Sequence, residues 1–146
     1  MHSRYANSTN FSRRVDAGLL VLRVAIGIVF LVHGGQKLFV FGFGGVSGAF
    51  GNMGVPLPAF TGPLTALVEF LAGGALIIGL FARLAALGLA IDMLGAILIV
   101  HLKGGFFAPT GYEYALTLLA ANVAIAIAGA GYYSTDRVIA ERRAGR

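Results

Sequence analysis

Residues 17–39 read AGLLVLRVAIGIVFLVHGGQKLF. Arg23 is the one charge in the first two-thirds of the run, and His33 and Lys37 come near its end. A helix rises ~1.5 Å per residue, so about 20 apolar residues cover a ~30 Å hydrocarbon layer. Three more runs follow at 64–81, 84–101 and 113–131, with Glu69 inside the second and Asp92 near the middle of the third. In lipid only helices or closed barrels satisfy the backbone, and these runs lack the alternation of barrel strands. The expectation is an all-α integral membrane four-helix bundle. It comprises a segment 1–16, a transmembrane domain 17–135 and a tail 136–146.

Composition agrees. The 146 residues are 58% hydrophobic and 12% charged, with a mean hydropathy of +0.84. Soluble domains carry about 25% charged residues. The chain has no cysteine, which excludes dithiol chemistry, disulfides and thiolate-held clusters or metals. A net charge of +5 suggests nucleic acid until the charges are located: they flank the apolar runs, as topology signals do. No nucleic-acid partner is expected. The polar start, with Arg4, Arg13 and Arg14, leads into an apolar run too long for a signal peptide, which reads as a retained first helix.

Orientation follows from arginine. Arg4, Arg13, Arg14, Arg83, Arg137, Arg142, Arg143 and Arg146 all fall on one side, eight of the eleven basic residues. By the positive-inside rule that side is cytoplasmic, which predicts both termini inside a bacterial inner membrane. The connection 40–63 is rich in Gly and Phe and carries no charge. It is expected to lie along the outer membrane surface or fold over the bundle.

Ionisable groups at membrane depth are costly and so mark function or pairing. Arg23 and Asp92 fall about five and eight residues in from the arginine side, similar heights on the ~1.5 Å rise, which predicts a structural ion pair. In the opposite leaflet every helix delivers a polar group: His33 and Lys37, Glu69, His101 and Lys103, and Glu113. The candidate catalytic set is His33, Glu69, His101 and Glu113, with Lys37, Lys103 and Tyr112 as substrate contacts. Small residues mark the packing faces: Gly27 and Gly34 on the first helix, Gly73 on the second, Gly88, Gly95 and Ala96 on the third. A short internal echo sets His33 and Lys37 against His101 and Lys103, each at the end of an outward-running helix.

Leu22-Arg23, Gly27, the run His33-Gly34-Gly35-Gln36-Lys37-Leu38, Gly54-Val55-Pro56, Glu69 with Gly73-Gly74, Gly79 to Arg83, Met93 and Gly111-Tyr112-Glu113-Tyr114 occur in one order over residues 18–136. In this the chain resembles the DoxX family of small bacterial membrane proteins. The resemblance implies a four-helix membrane protein and, for some members, a place in membrane oxidoreductase assemblies. One branch is similar to the membrane subunit of a thiosulfate:quinone oxidoreductase; another is associated with superoxide dismutase and a sulfurtransferase. The family carries no agreed catalytic residue set.

Several functions compete. A non-catalytic anchor or assembly subunit of a membrane oxidoreductase complex is slightly favoured, with the polar cluster as interhelical glue and the lipid bilayer and redox proteins as partners. A quinone-interacting subunit is the alternative: histidine donates, Glu69 or Glu113 exchanges protons, and a partner supplies electrons. Haem ligation by His33 and His101, or a metal held by them together with Glu69 and Glu113, has the right ligand types but no metal spacing, so no intrinsic cofactor is expected. Small-solute transport would require a homo-oligomer.

Overall fold

The computed structural model describes the backbone of residues 2–145 and the side chains of residues 12–145. Its order is α1 (His2–Gly35), a π-helical turn (Gln36–Phe41), α2 (Gly42–Asn52), α3 (Pro58–Ile78), α4 (Ala82–Gly95), a second π-helical turn (Ala96–His101), a 3-10 turn (Leu102–Gly104), α5 (Glu113–Ala128) and α6 (Thr135–Ala144). The described residues contain no strand. Three segments are long and apolar enough to cross a membrane: Ser12–Asn52, Pro58–Ile78 and Ala82–Gly104. The fourth apolar helix, α5, has 16 residues, about 24 Å at the helical rise.

The packing core is α1 against α3 and α4 against α5, with α2 folded onto α3 and α3 touching α4. Lipid offers no hydrophobic drive between helices, so association rests on close van der Waals approach. At the α1–α3 crossing that approach is backbone to backbone. A Cβ on Gly27 would lie 2.7 Å from the Gly73 carbonyl oxygen, and one on Gly73 would lie 2.5 Å from the Leu31 nitrogen. Phe30, Leu76, Leu89 and Ile125 fill the interior and are fully buried.

The connection 40–63 folds over the bundle, one of its two expected placements, and most of it is helical, with a turn at 53–57. The chain continues through the first π turn into α2, and α3 begins at Pro58, six residues before the expected 64. A glycine-rich uncharged stretch held in an apolar setting has no water to satisfy its N–H and C=O groups, and a helix pairs them internally. Val46 is the buried residue of α2, and it packs where Gly62 leaves space on α3. Pro58 is compatible with helix entry because its missing N–H falls among the unpaired first-turn donors.

The tail from 136 is built into the fold. Asp136 at the start of α6 accepts hydrogen bonds from the backbone N–H groups of Phe81 (2.7 Å) and Ala82 (3.0 Å), capping α4. Thr135 donates to the Ile78 carbonyl at 2.8 Å, and Asp16 accepts from the Tyr132 N–H at 3.0 Å. The arginine-bearing end of the bundle is thus closed by α6.

The expected Arg23–Asp92 ion pair does not form. Arg23 is buried and donates to the carbonyls of Leu76 (2.9 Å), Ile77 (3.0 Å) and Tyr133. The first two are last-turn carbonyls of α3, which have no partner within the helix. A guanidinium with five donors suits three carbonyls better than one carboxylate a level away. Asp92 instead accepts from the Thr65 hydroxyl at 3.0 Å.

Candidate functional site

A cavity of about 590 Å³ lies among α1, α3, α4 and α5, bordered by Phe50 at the end of α2 and by Met53 and Val55 in the following turn. Its walls are mostly apolar, including Val29, Phe30, Val68, Met93 and Leu118. The polar residues that line it are His33, Lys37, Thr61, Thr65, Glu69, Asp92, His101 and Tyr114. An apolar slot with a few convergent polar groups is the usual form of a small-molecule site.

Two polar contacts join the walls. Lys37, in the first π turn, forms an ion pair with Glu69 on α3. The Glu69 side chain is 4% exposed, so the pair is desolvated and Glu69 depends on it. One turn earlier on α3, Thr65 donates to Asp92 Oδ1 on α4, while Asp92 Oδ2 is buried with no partner among the described residues. Thr65 and Glu69 are four residues apart and so share one helix face, reaching α4 and the first π turn respectively.

Both histidines also line the cavity. His33 Nδ1 lies 2.8 Å from the Val29 carbonyl oxygen, and His101 Nδ1 lies 3.3 Å from that of Thr110. His33 precedes the first π turn and His101 ends the second. π-helical turns widen the helix locally and often accompany functional sites, because they re-aim side chains that a regular helix would point elsewhere.

Not every residue expected from the sequence reaches the cavity. His33, Lys37, Glu69 and His101 line it. Glu113 turns away and accepts from the Ala108 N–H at 2.7 Å, across the loop before α5. Tyr112 packs edge-on to Phe106 with centroids 5.4 Å apart, and Lys103 is exposed beyond the second π turn. Asp92, expected as a structural partner for Arg23, is a cavity residue. Thr61, Thr65 and Tyr114 were missed. The available signal was Thr65 four residues before Glu69, on the same face. Among the described residues, no group of three or more His, Asp and Glu side chains is arranged to hold a metal ion.

A Bacillus subtilis protein named "Putative oxidoreductase CatD" is 32% identical, covering 86% of this chain and 89% of its own length. "Inner membrane protein YqjF" of Escherichia coli is 33% identical over 85% of this chain and 93% of its own. "Uncharacterized membrane protein Rv3486" of Mycobacterium tuberculosis is 32% identical, with 85% and 82% covered. No solved structure matches significantly. The DoxX family model matches residues 18–102, from α1 through both π turns and every charged or histidine residue of the cavity, and the chain belongs to the DoxX family of membrane proteins.

Proposed function

We propose that this protein is the membrane subunit of an oxidoreductase assembly and that its cavity receives a quinone-class head group. The observation that carries this reading is the lining of the cavity: an apolar slot of about 590 Å³ in which Lys37, Glu69, Asp92, His33 and His101 converge. A quinone needs flat apolar walls for its ring, hydrogen-bonding groups at its oxygens and side chains that exchange protons. Histidine and carboxylate supply the last two. The Bacillus subtilis relative carries oxidoreductase in its name, which supports redox context. Electrons come from a partner protein, since this chain has no cysteine to hold a cluster or dithiol.

The competing anchor reading draws on the same contacts. Lys37–Glu69 ties the first π turn to α3 and Thr65–Asp92 ties α3 to α4, which is what interhelical glue does. The His33→Ala and Glu69→Gln variants separate the two. On the quinone reading, detergent-purified variants that keep the wild-type melting temperature lose quinone binding and partner-dependent turnover by at least about tenfold, the loss of one charge-assisted hydrogen bond. On the anchor reading they lose stability or partner, and correctly assembled variants turn over normally.

The proposed setting is the bacterial inner membrane, with four crossings and both termini cytoplasmic. The arginine distribution supports it, as does the name of the Escherichia coli relative. In this arrangement α5 is a short fourth crossing, and the cavity opens toward the outer leaflet.

A further inference from the structure

A second cavity, of about 490 Å³, lies at the arginine end of the bundle, where α6 closes it. Its polar lining is Arg83, Ser134, Asp136 and Arg137, and the exposed apolar Phe81 and Leu84 border it. Two of the polar groups are already used by the fold. Asp136 gives one oxygen to the Phe81 N–H and the other to the Ala82 N–H. Ser134 Oγ donates to the Gly131 carbonyl at 2.7 Å and accepts from the Arg137 backbone N–H at 3.3 Å. The guanidinium groups are not used up. Arg137 donates through Nε to Glu141 at 2.7 Å and lies 5.3 Å from the Tyr132 ring centroid, which leaves the terminal N–H groups of its fork open. Among the described residues the ion pairs are Lys37–Glu69 and Arg137–Glu141, so Arg83 has no carboxylate partner. Its guanidinium rests against the backbone at Gly129, where a Cβ would lie 3.0 Å from Nε and 3.4 Å from a terminal nitrogen. Arginine does not lose its proton in proteins, so both groups stay charged. The surrounding end of the molecule is positive as well, with seven described arginines against the carboxylates of Asp16, Asp136 and Glu141.

We propose that this second cavity binds the phosphate of an anionic phospholipid from the leaflet on the arginine side, with Arg83 and Arg137 as its ligands. The planar guanidinium fork matches phosphate oxygens two at a time, and basic pockets between membrane helices on the cytoplasmic side take head groups of this kind. Phe81 and Leu84 are where the acyl chains would run, since lipid tails are as apolar as leucine. Inorganic phosphate shares the anion chemistry but leaves that apolar border uncovered. The positive end favours a head group of net negative charge over a zwitterionic one. A phosphate held by both arginines ties the start of α4 to α6. The proposal is independent of the quinone-class reading of the larger cavity.

The test uses the full chain, stripped of lipid in mild detergent, and two phospholipids with the same dioctanoyl chains, phosphatidylglycerol and phosphatidylcholine. Calorimetric titration is expected to show phosphatidylglycerol binding at least about tenfold more tightly, the worth of one charge-assisted hydrogen bond. Arg83→Gln combined with Arg137→Gln, both at exposed positions, should abolish that preference. Arg142→Gln combined with Arg143→Gln removes the same charge from the same end, outside the cavity, and should keep it. Equal binding of the two lipids to the unaltered chain overturns the proposal, whatever the variants do to folding. An equal loss in both double variants overturns it too, because the attraction then belongs to the whole charged surface. Inorganic phosphate is the third probe. If it displaces phosphatidylglycerol at comparable concentration, the site reads a free phosphate and the lipid assignment falls.

Discussion

The Lys37–Glu69 pair shows how a membrane interior makes single side chains decisive. Removing one partner of a buried ion pair costs about 3–5 kcal/mol, because the other is left charged and desolvated, whereas replacing both with apolar groups is often neutral. Lys37→Met should therefore lower thermal stability in detergent markedly, and Lys37→Met combined with Glu69→Leu should recover most of the loss. A double variant as unstable as the single one would mean that Glu69 draws on other partners. Both residues were visible in the sequence as ionisable groups within apolar runs. Their pairing was not, because it depends on the rotation of α1 and α3 about their axes. Arg23 makes the same point in reverse: it stands out in the sequence as a charge within an apolar run, but its partners are carbonyls, which every residue has and no sequence pattern marks.

At the scale of elements, the α1–α3 contact and the α6 cap make separate predictions. Gly73→Ala would set a Cβ 2.5 Å from the Leu31 backbone nitrogen, which forces the two helices apart at about 1–3 kcal/mol. Gly18→Ala on α1 has nothing within 4 Å of its new Cβ and should leave the melting temperature unchanged or slightly raised. If the two variants melt together, the close crossing does not limit stability. Asp136→Ala removes the carboxylate that bonds the Phe81 and Ala82 N–H groups and should cost about 1 kcal/mol. Hydrogen exchange at those two amides measures it directly, with faster exchange expected there and unchanged protection in α3. The glycine stripes on the first two helices were readable from spacing. The cap was not, since Asp136 is 54 positions from Ala82 in the chain.

For the whole molecule, the question is how many times the chain crosses the membrane. A protein with no cysteine allows clean single-site labelling. With four crossings and both ends inside, Ser12→Cys and Gly145→Cys should resist a membrane-impermeant maleimide in intact cells and react once the membrane is opened. Phe107→Cys, in an exposed loop at the histidine end, should react from outside. Labelling of Gly145→Cys but not Ser12→Cys in intact cells would mean an odd number of crossings, with α5 lying short of the far side.

Hydropathy and charge are local properties of the chain, so the sequence alone determined that this is a helical membrane protein and which ionisable side chains lie within its apolar runs. What the sequence did not mark is that the connection 40–63 carries a helix, α2, folded onto α3. Glycine weakens a helix in water, but without water the backbone has no other way to fill its hydrogen bonds. Only the tertiary structure decided which polar groups share a cavity. Two π turns and the rotation of each helix bring Lys37, Glu69, Asp92 and His101 to one space and turn Glu113 away from it, and a single added residue per turn is enough to change which face a side chain occupies.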